Sequence, residues 1–136
     1  MGLTAGRDTT ELAYGARLLQ VPVAASVKIF EGSLVALNAQ GYAVPASKAE
    51  NLTAMGRAEQ FADNSAGADG AETVLVKRGA FIWDNDPTSA NAVTRALVGK
   101  PCYILDDSTV TALATGSSAA GKVLAVTDDG VSVETL

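Results

Sequence analysis

Short apolar runs separated by polar, glycine-containing turns recur along the chain from Leu18 onwards. In the first run, Leu19, Val21 and Val23 alternate with Gln20 and Pro22, which indicates a half-buried strand. Proline cannot donate a ladder hydrogen bond, so this strand is predicted at the edge of a sheet.

The stretch from Gly70 to Asp86 contains two apolar runs. Thr73–Val76 is rich in β-branched residues and too short for a stable helix, and Phe81–Trp83 follows it. Gly79 lies between them and can take the positive φ that a turn or bulge needs. We therefore predict a hairpin that carries much of the core.

Two further hairpins have strong turn signals. The loop 38–41 reads Asn-Ala-Gln-Gly, and the loop 127–130 ends in Asp-Gly. The segment 62–70 is predicted to be an exposed loop with no element of its own. Other strands are predicted at 34–37, 42–44, 53–61, 102–105, 110–113, 122–126 and 131–134.

One helix is predicted, over Pro87–Val98. Asp86 suits the N-cap, Pro87 the first helical position, and Gly99 with Pro101 ends the segment. The apolar face is small, so the helix is expected to plug one end of a barrel or sandwich. The predicted fold is all-β: a small β-barrel or β-sandwich of about nine short strands with one short α-helix and an extended N-terminal arm.

Residues 1–17 show neither the period of a strand nor that of a helix. Three glycines and several threonines favour an arm, either frayed or lying on a partner subunit. The chain of 136 residues is thus divided into an arm, 1–17, and a single β-rich domain, 18–136.

A weak internal echo links the two halves. Gly32–Leu37, a loop and Met55–Ala58 resemble Gly99–Ile104, a loop and Ala120–Val123. Two related strand pairs would explain it, and so would chance similarity among strands rich in alanine, valine and glycine.

Composition narrows the possible functions. The net charge of −5 disfavours nucleic-acid binding, which needs a basic patch. No apolar run approaches the ~20 residues of a membrane span. Cys102 has no disulfide partner in the chain, so we expect folding in the reducing cytoplasm.

The absence of histidine removes Ser-His-Asp and Cys-His nucleophiles and imidazole zinc sites, so neither an enzyme nor a cofactor is expected. The remaining candidates are carboxylates, which calcium or acid–base catalysis would use. Turn and cap hydrogen bonds are the stronger interpretation. These carboxylates belong to Asp84, Asp86, Asp106, Asp107, Asp128 and Asp129.

The order of these glycine-anchored strand phrases, 28–46, 55–58, 70–81, 99–107 and 121–126, resembles the capsid-cement, or head-decoration, proteins of tailed bacteriophages and prophages. The resemblance implies a β-rich homotrimer on the outer surface of the virion. It would bridge major capsid protein subunits and stabilise the expanded head, without membrane or nucleic-acid partners.

In that family the arm is the usual capsid contact, which implies a role here for Leu3, Thr4, Arg7, Leu12, Tyr14 and Arg17. An alternative is a β-barrel accessory module that binds glycans or a host surface. Its reading surface would be the loops 62–70 and 115–121.

Overall fold

The computed structural model describes residue 2, residues 4–9 and residues 17–135. The all-β prediction is confirmed, with twelve strands in the described residues. In the first part of the chain they are β1 (Leu18–Pro22), β2 (Lys28–Ile29), β3 (Leu34–Leu37), β4 (Ala43–Pro45), β5 (Thr53–Ala58), β6 (Ala62–Asp63) and β7 (Thr73–Lys77). The others are β8 (Gly79–Asn85), β9 (Pro101–Ile104), β10 (Thr109–Thr111), β11 (Ala119–Thr127) and β12 (Gly130–Thr135).

The strands form two main sheets. The first is five-stranded in the order β1-β7-β5-β3-β4, and the second is a closed barrel in the order β10-β8-β12-β11-β9. A small third sheet pairs β2 with β6. Strand β1 lies at an edge, as Pro22 predicts.

Both hairpins with strong turn signals are confirmed. The Asn38 side chain accepts hydrogen bonds from the main-chain N–H groups of Gln40 and Tyr42, both at 3.0 Å, and so shapes the β3–β4 loop. Thr127 pairs with Gly130 where β11 turns into β12. These turns depend on neighbouring residues, which is why the sequence predicts them.

The hairpin predicted at 70–86 is wrong. Strand β7 pairs with β1 and β5, whereas β8 pairs with β12 and β10. Gly79, with φ +149°, redirects the chain from the first sheet to the second. The segment therefore connects the two sheets.

The α-helix predicted over Pro87–Val98 is also wrong. Two short 3₁₀ turns, Ser89–Asn91 and Arg95–Leu97, replace it. The Asn85 side chain binds both main-chain groups of Val93, donating to its C=O at 2.9 Å and accepting from its N–H at 2.8 Å. Since Val93 is held in the core by these bonds, no continuous helical ladder can pass through it.

The prediction of an exposed loop with no element of its own at 62–70 is wrong, because Ala62–Asp63 form β6 and Asn64 is buried. After β6, this side chain is only 2% exposed and donates to the carbonyl oxygens of Val23 (3.2 Å), Ala24 (2.9 Å) and Ala68 (2.9 Å). It therefore fastens the loop to the chain that follows β1.

We expect Asn64→Ala to lower the free energy of unfolding by about 1–3 kcal/mol, because it removes three hydrogen bonds and leaves the carbonyl of buried Ala24 without a donor. Urea denaturation measures the loss. Ser65→Ala is the matched control, since Ser65 is exposed and its removal should cost under about 0.5 kcal/mol. Equal losses in the two variants would contradict the role of Asn64.

The buried residues form two clusters. The first sheet encloses Val21, Val35, Val74 and Val76, among others, and the barrel encloses a cluster that includes Trp83. Strand β3 contributes to both clusters, because Leu34 and Ala36 pack with the barrel cluster and Val35 packs with the other. Strand β3 consequently lies between the two clusters and contributes side chains to both.

The internal echo is confirmed in the topology. We define repeat 1 as residues 18–77 and repeat 2 as residues 79–135. With β2 and β6 set aside, each repeat has five strands. In each, the first pairs with the fifth, the second with the third and fourth, and the fourth with the fifth.

The closing contact is repeated as well. In repeat 2 the first and third strands meet in parallel through Val110 and Asn85. In repeat 1 a parallel bridge joins Val23 to Ala43, at the corresponding place. The strands of repeat 1 are thus arranged like those of the barrel, with a single bridge in place of the closing strand pair.

Equivalent residues make equivalent hydrogen bonds. The N–H of Gly32 donates to the C=O of Ala58 at 2.9 Å, and the N–H of Gly99 donates to the C=O of Val123 at 2.8 Å. The pairing of β3 with β5 is irregular next to Gly56, and the pairing of β9 with β11 is irregular next to Gly121. The two halves are therefore structural repeats, matched residue by residue along these strands.

Candidate functional site

The arm residues named from the sequence are only partly described. Thr4 and Arg7 are exposed and belong to neither a helix nor a strand. Arg17 is exposed immediately before β1. Leu3, Leu12 and Tyr14 lie outside the described residues, so the six named residues are not seen as one site.

Arg17 marks where the arm joins the folded body. Its C=O accepts a hydrogen bond of 2.7 Å from the N–H of Arg78, just after β7. Strand β1 then pairs with β7 from Leu18 to Pro22. The arm is therefore attached to an edge strand that is paired along its whole length.

The interpretation of the carboxylates as turn groups is confirmed for Asp86 and Asp106, whereas the predicted helix-capping role of Asp86 is wrong. Asp106 accepts from the N–H of Ser108 at 2.9 Å. Asp86 accepts from the N–H of Thr88 at 2.9 Å and from the hydroxyl of Thr111 at 2.8 Å. These bonds tie the 3₁₀ segment to β10.

The hydrogen bond from the N–H of Thr88, followed by that from the Thr111 hydroxyl, lowers the pKa of Asp86 below its ordinary value. A lowered folded-state pKa stabilises the protein above the unfolded-state value of about 4, and this stabilisation is lost as pH falls through the folded-state value. Asp86→Asn should therefore weaken the acid dependence of the melting temperature below about pH 4.

Thermal melts between pH 2 and pH 7 test this prediction. Thr111→Val is the companion variant, since it removes one donor and should weaken the same dependence in part. An Asp86→Asn protein with an unchanged acid profile would contradict the assignment.

A polar surface cavity of about 460 Å³ lies at one end of the barrel. Asp84, Asp128 and Asp129 line it together with Asn85, Thr109 and Thr127. Among the described residues, no group of three or more acidic, cysteine or histidine side chains is close enough to hold a metal ion.

Cys102 is buried in the barrel cluster. Burial disfavours the thiolate and raises the pKa of the Cys102 thiol to about 11. A thiol with such a pKa is a poor nucleophile at neutral pH.

Four of the aromatic residues form two contacting pairs. Phe81 and Trp83 contact each other edge to face at 6.1 Å, and the Arg57 guanidinium lies 4.5 Å from the centre of the Phe81 ring. Phe30 and Phe61, in contrast, contact each other at 5.6 Å while 58% and 52% exposed.

The sequence did not identify this exposed pair as a site. Phe30 follows β2 and Phe61 precedes β6, and these two-residue strands pair with each other. The sequence feature that could have revealed the pair is that each phenylalanine flanks a segment too short to bury it.

The loops proposed to read glycans are held partly from within. Besides Asn64 in the first loop, Ser118 in the second donates to the C=O of Ala49 at 2.7 Å and accepts from the N–H of Leu52 at 3.0 Å. Ala119 and Gly121 already belong to β11.

Comparison of the chain with protein-family models, curated proteins and solved structures gave no match in any of the three. The resemblance to capsid-cement proteins therefore stays a prediction from the sequence. No helix in the described part of the chain is long and apolar enough to cross a membrane.

Proposed function

We propose that this chain is a homotrimeric capsid decoration protein, a structural component of a phage virion. It binds the outer surface of the expanded head, where it bridges major capsid protein subunits. Its N-terminal arm makes the capsid contact, and the folded bodies of the trimer hold three such arms together.

The attachment of the arm is the observation that carries this proposal. Residues 4–9 are exposed outside any helix or strand, and Arg17 leads into an edge strand that is paired throughout. Such an arm is free to lie on a neighbouring surface while its anchor stays fixed. Three arms on one trimer gain avidity from the second and third contacts.

Deleting residues 2–16 should abolish co-sedimentation with expanded capsids and leave the melting temperature within a few degrees. Arg17 is kept because its C=O binds the N–H of Arg78. Arg7→Glu is a milder control that should weaken binding if the capsid surface is acidic. Full binding by the truncated protein would refute the role of the arm.

A glycan-binding module is the second candidate. The exposed Phe61 ring lies directly before the loop 62–70, and aromatic rings stack on sugars. A glycan array probed with the protein and with Phe61→Ala separates the candidates. Hits lost in the variant would favour glycan binding, and an array without hits would remove this candidate.

A further inference from the structure

Among the described residues, four of the six exposed large apolar side chains lie near the same hydrogen bond of the two repeats. Phe30 lies two residues before Gly32, and Val98 lies directly before Gly99. Phe61 lies three residues after Ala58, and Leu124 directly follows Val123. Since Gly32–Ala58 and Gly99–Val123 make the same hydrogen bond, each repeat presents an apolar patch beside that bond, although the four side chains are not at aligned positions.

The aromatic patch consists of Phe30 and Phe61, two neighbouring rings that are each more than half exposed. Covering both rings would remove apolar surface from water, which favours association.

In repeat 2 the exposed apolar side chains line a groove, which we call the aliphatic groove. It has a volume of about 320 Å³ and is lined by Arg95, Val98, Leu124, Ala125, Val126 and Thr127. The pairing of β11 with β12 is irregular between Val123 and Ala125, so Leu124 has no partner in the register, and it faces away from buried Val123. Val98 and Leu124 are 44% and 41% exposed.

The charges beside the two surfaces are complementary. Glu31, next to Phe30, is exposed and makes no ion pair among the described residues, whereas Glu59 is paired with Arg57 at 2.8 Å. Arg95 lines the groove and Lys100 follows it closely in the chain, both exposed. Lys28 lies opposite Asp63 in the β2–β6 pair beside the aromatic patch, which leaves Glu31 as the unpaired charge at its border, whereas the groove has basic neighbours.

We propose that the aromatic patch of one copy of this chain binds the aliphatic groove of a second copy, with Glu31 facing Arg95. The proposal rests on the homotrimer of the proposed function and specifies its interface. The contact joins two different surfaces, so it is head-to-tail and can close into a ring. A closed trimer would contain three such contacts and six repeats.

Contact between two aromatic patches is disfavoured on the same grounds. It would bring Glu31 of both copies together, and two grooves would likewise bring Arg95 of both copies together. Like charges at an interface are repulsive. The head-to-tail arrangement replaces both repulsions with an attraction.

Sedimentation velocity over a range of concentrations tests the interface. Phe30→Ser with Phe61→Ser removes the patch, and Val98→Ser with Leu124→Ser removes the groove. Each doubly substituted protein should be monomeric at concentrations at which the unsubstituted protein is trimeric. All four side chains are exposed, and urea denaturation verifies that both proteins fold.

Mixing gives the decisive result. Each variant retains the surface that the other lacks, so an equimolar mixture at high concentration should form a dimer and no trimer. Likewise, Glu31→Arg and Arg95→Glu should each raise the trimer dissociation constant at least tenfold, and the two together should restore it.

A trimeric patch variant, a mixture that stays monomeric, or a monomeric unsubstituted protein would each overturn the interface. Capsid binding is scored separately by co-sedimentation. A trimer that persists in the variants and binds capsids refutes the interface alone. A trimer that depends on the patch but binds no capsid refutes the proposed function alone.

Discussion

Gly121→Ala is expected to destabilise the protein by about 2–6 kcal/mol, the sum of a strained backbone and an overpacked contact. Gly121 has φ +155°, and a Cβ there would lie 2.3 Å from the carbonyl oxygen of Glu134. Because that atom belongs to the backbone of β12, a side-chain rotation cannot relieve the clash.

The equivalent substitution in repeat 1 should have a similar effect. At Gly56, with φ +142°, a Cβ would lie 2.2 Å from the carbonyl oxygen of Lys77. Gly99→Ala and Gly32→Ala are matched controls: their φ values are +87° and +86°, with no atom within 4 Å of the added carbon. They should cost only about 1–2 kcal/mol each.

Guanidinium denaturation of the four variants measures these differences. A Gly121→Ala or Gly56→Ala protein that does not accumulate in folded form, while both controls do, also agrees with the prediction. If Gly121→Ala were as stable as Gly99→Ala, and Gly56→Ala as stable as Gly32→Ala, the strands would not approach as closely as described.

Leu34→Ala is expected to cost about 2–5 kcal/mol, because it opens a cavity in a fully buried site. Leu34 belongs to repeat 1 but packs in the barrel cluster with Trp83 of repeat 2. Its N–H also donates to the C=O of Asp107 at 2.8 Å. The loss should therefore affect both repeats.

Two probes monitor this effect in one unfolding experiment. Trp83, the only tryptophan, gives the fluorescence of repeat 2, and far-ultraviolet circular dichroism gives both repeats. Their transitions should shift together to lower denaturant. Leu18→Ala, at an exposed position of β1, should change stability by less than about 0.5 kcal/mol. Separate transitions for the two probes would contradict a shared core.

What the sequence predicts well is local. The Asn38 loop and the Asp129-Gly130 turn are fixed by their own residues, and Pro22 restricts β1 to an edge. The glycines of the internal echo were also informative, since Gly56 and Gly121 lie where another backbone approaches closely.

What the sequence does not predict depends on distant partners. The helix over Pro87–Val98 has suitable caps, yet the side chain of Asn85 holds Val93 in an extended segment between two 3₁₀ turns. Likewise, β7 and β8 are adjacent in the chain, but their partners lie in different sheets. The exposed Phe30–Phe61 pair requires the pairing of β2 with β6, which no local pattern announces.

Co-sedimentation of the intact protein with decoration-free capsids, in unexpanded and expanded forms, tests the proposed function most directly. Light scattering of the same preparation gives the mass of the free protein. The account predicts saturable binding of a trimer to expanded shells only. A folded protein that binds neither form would contradict it.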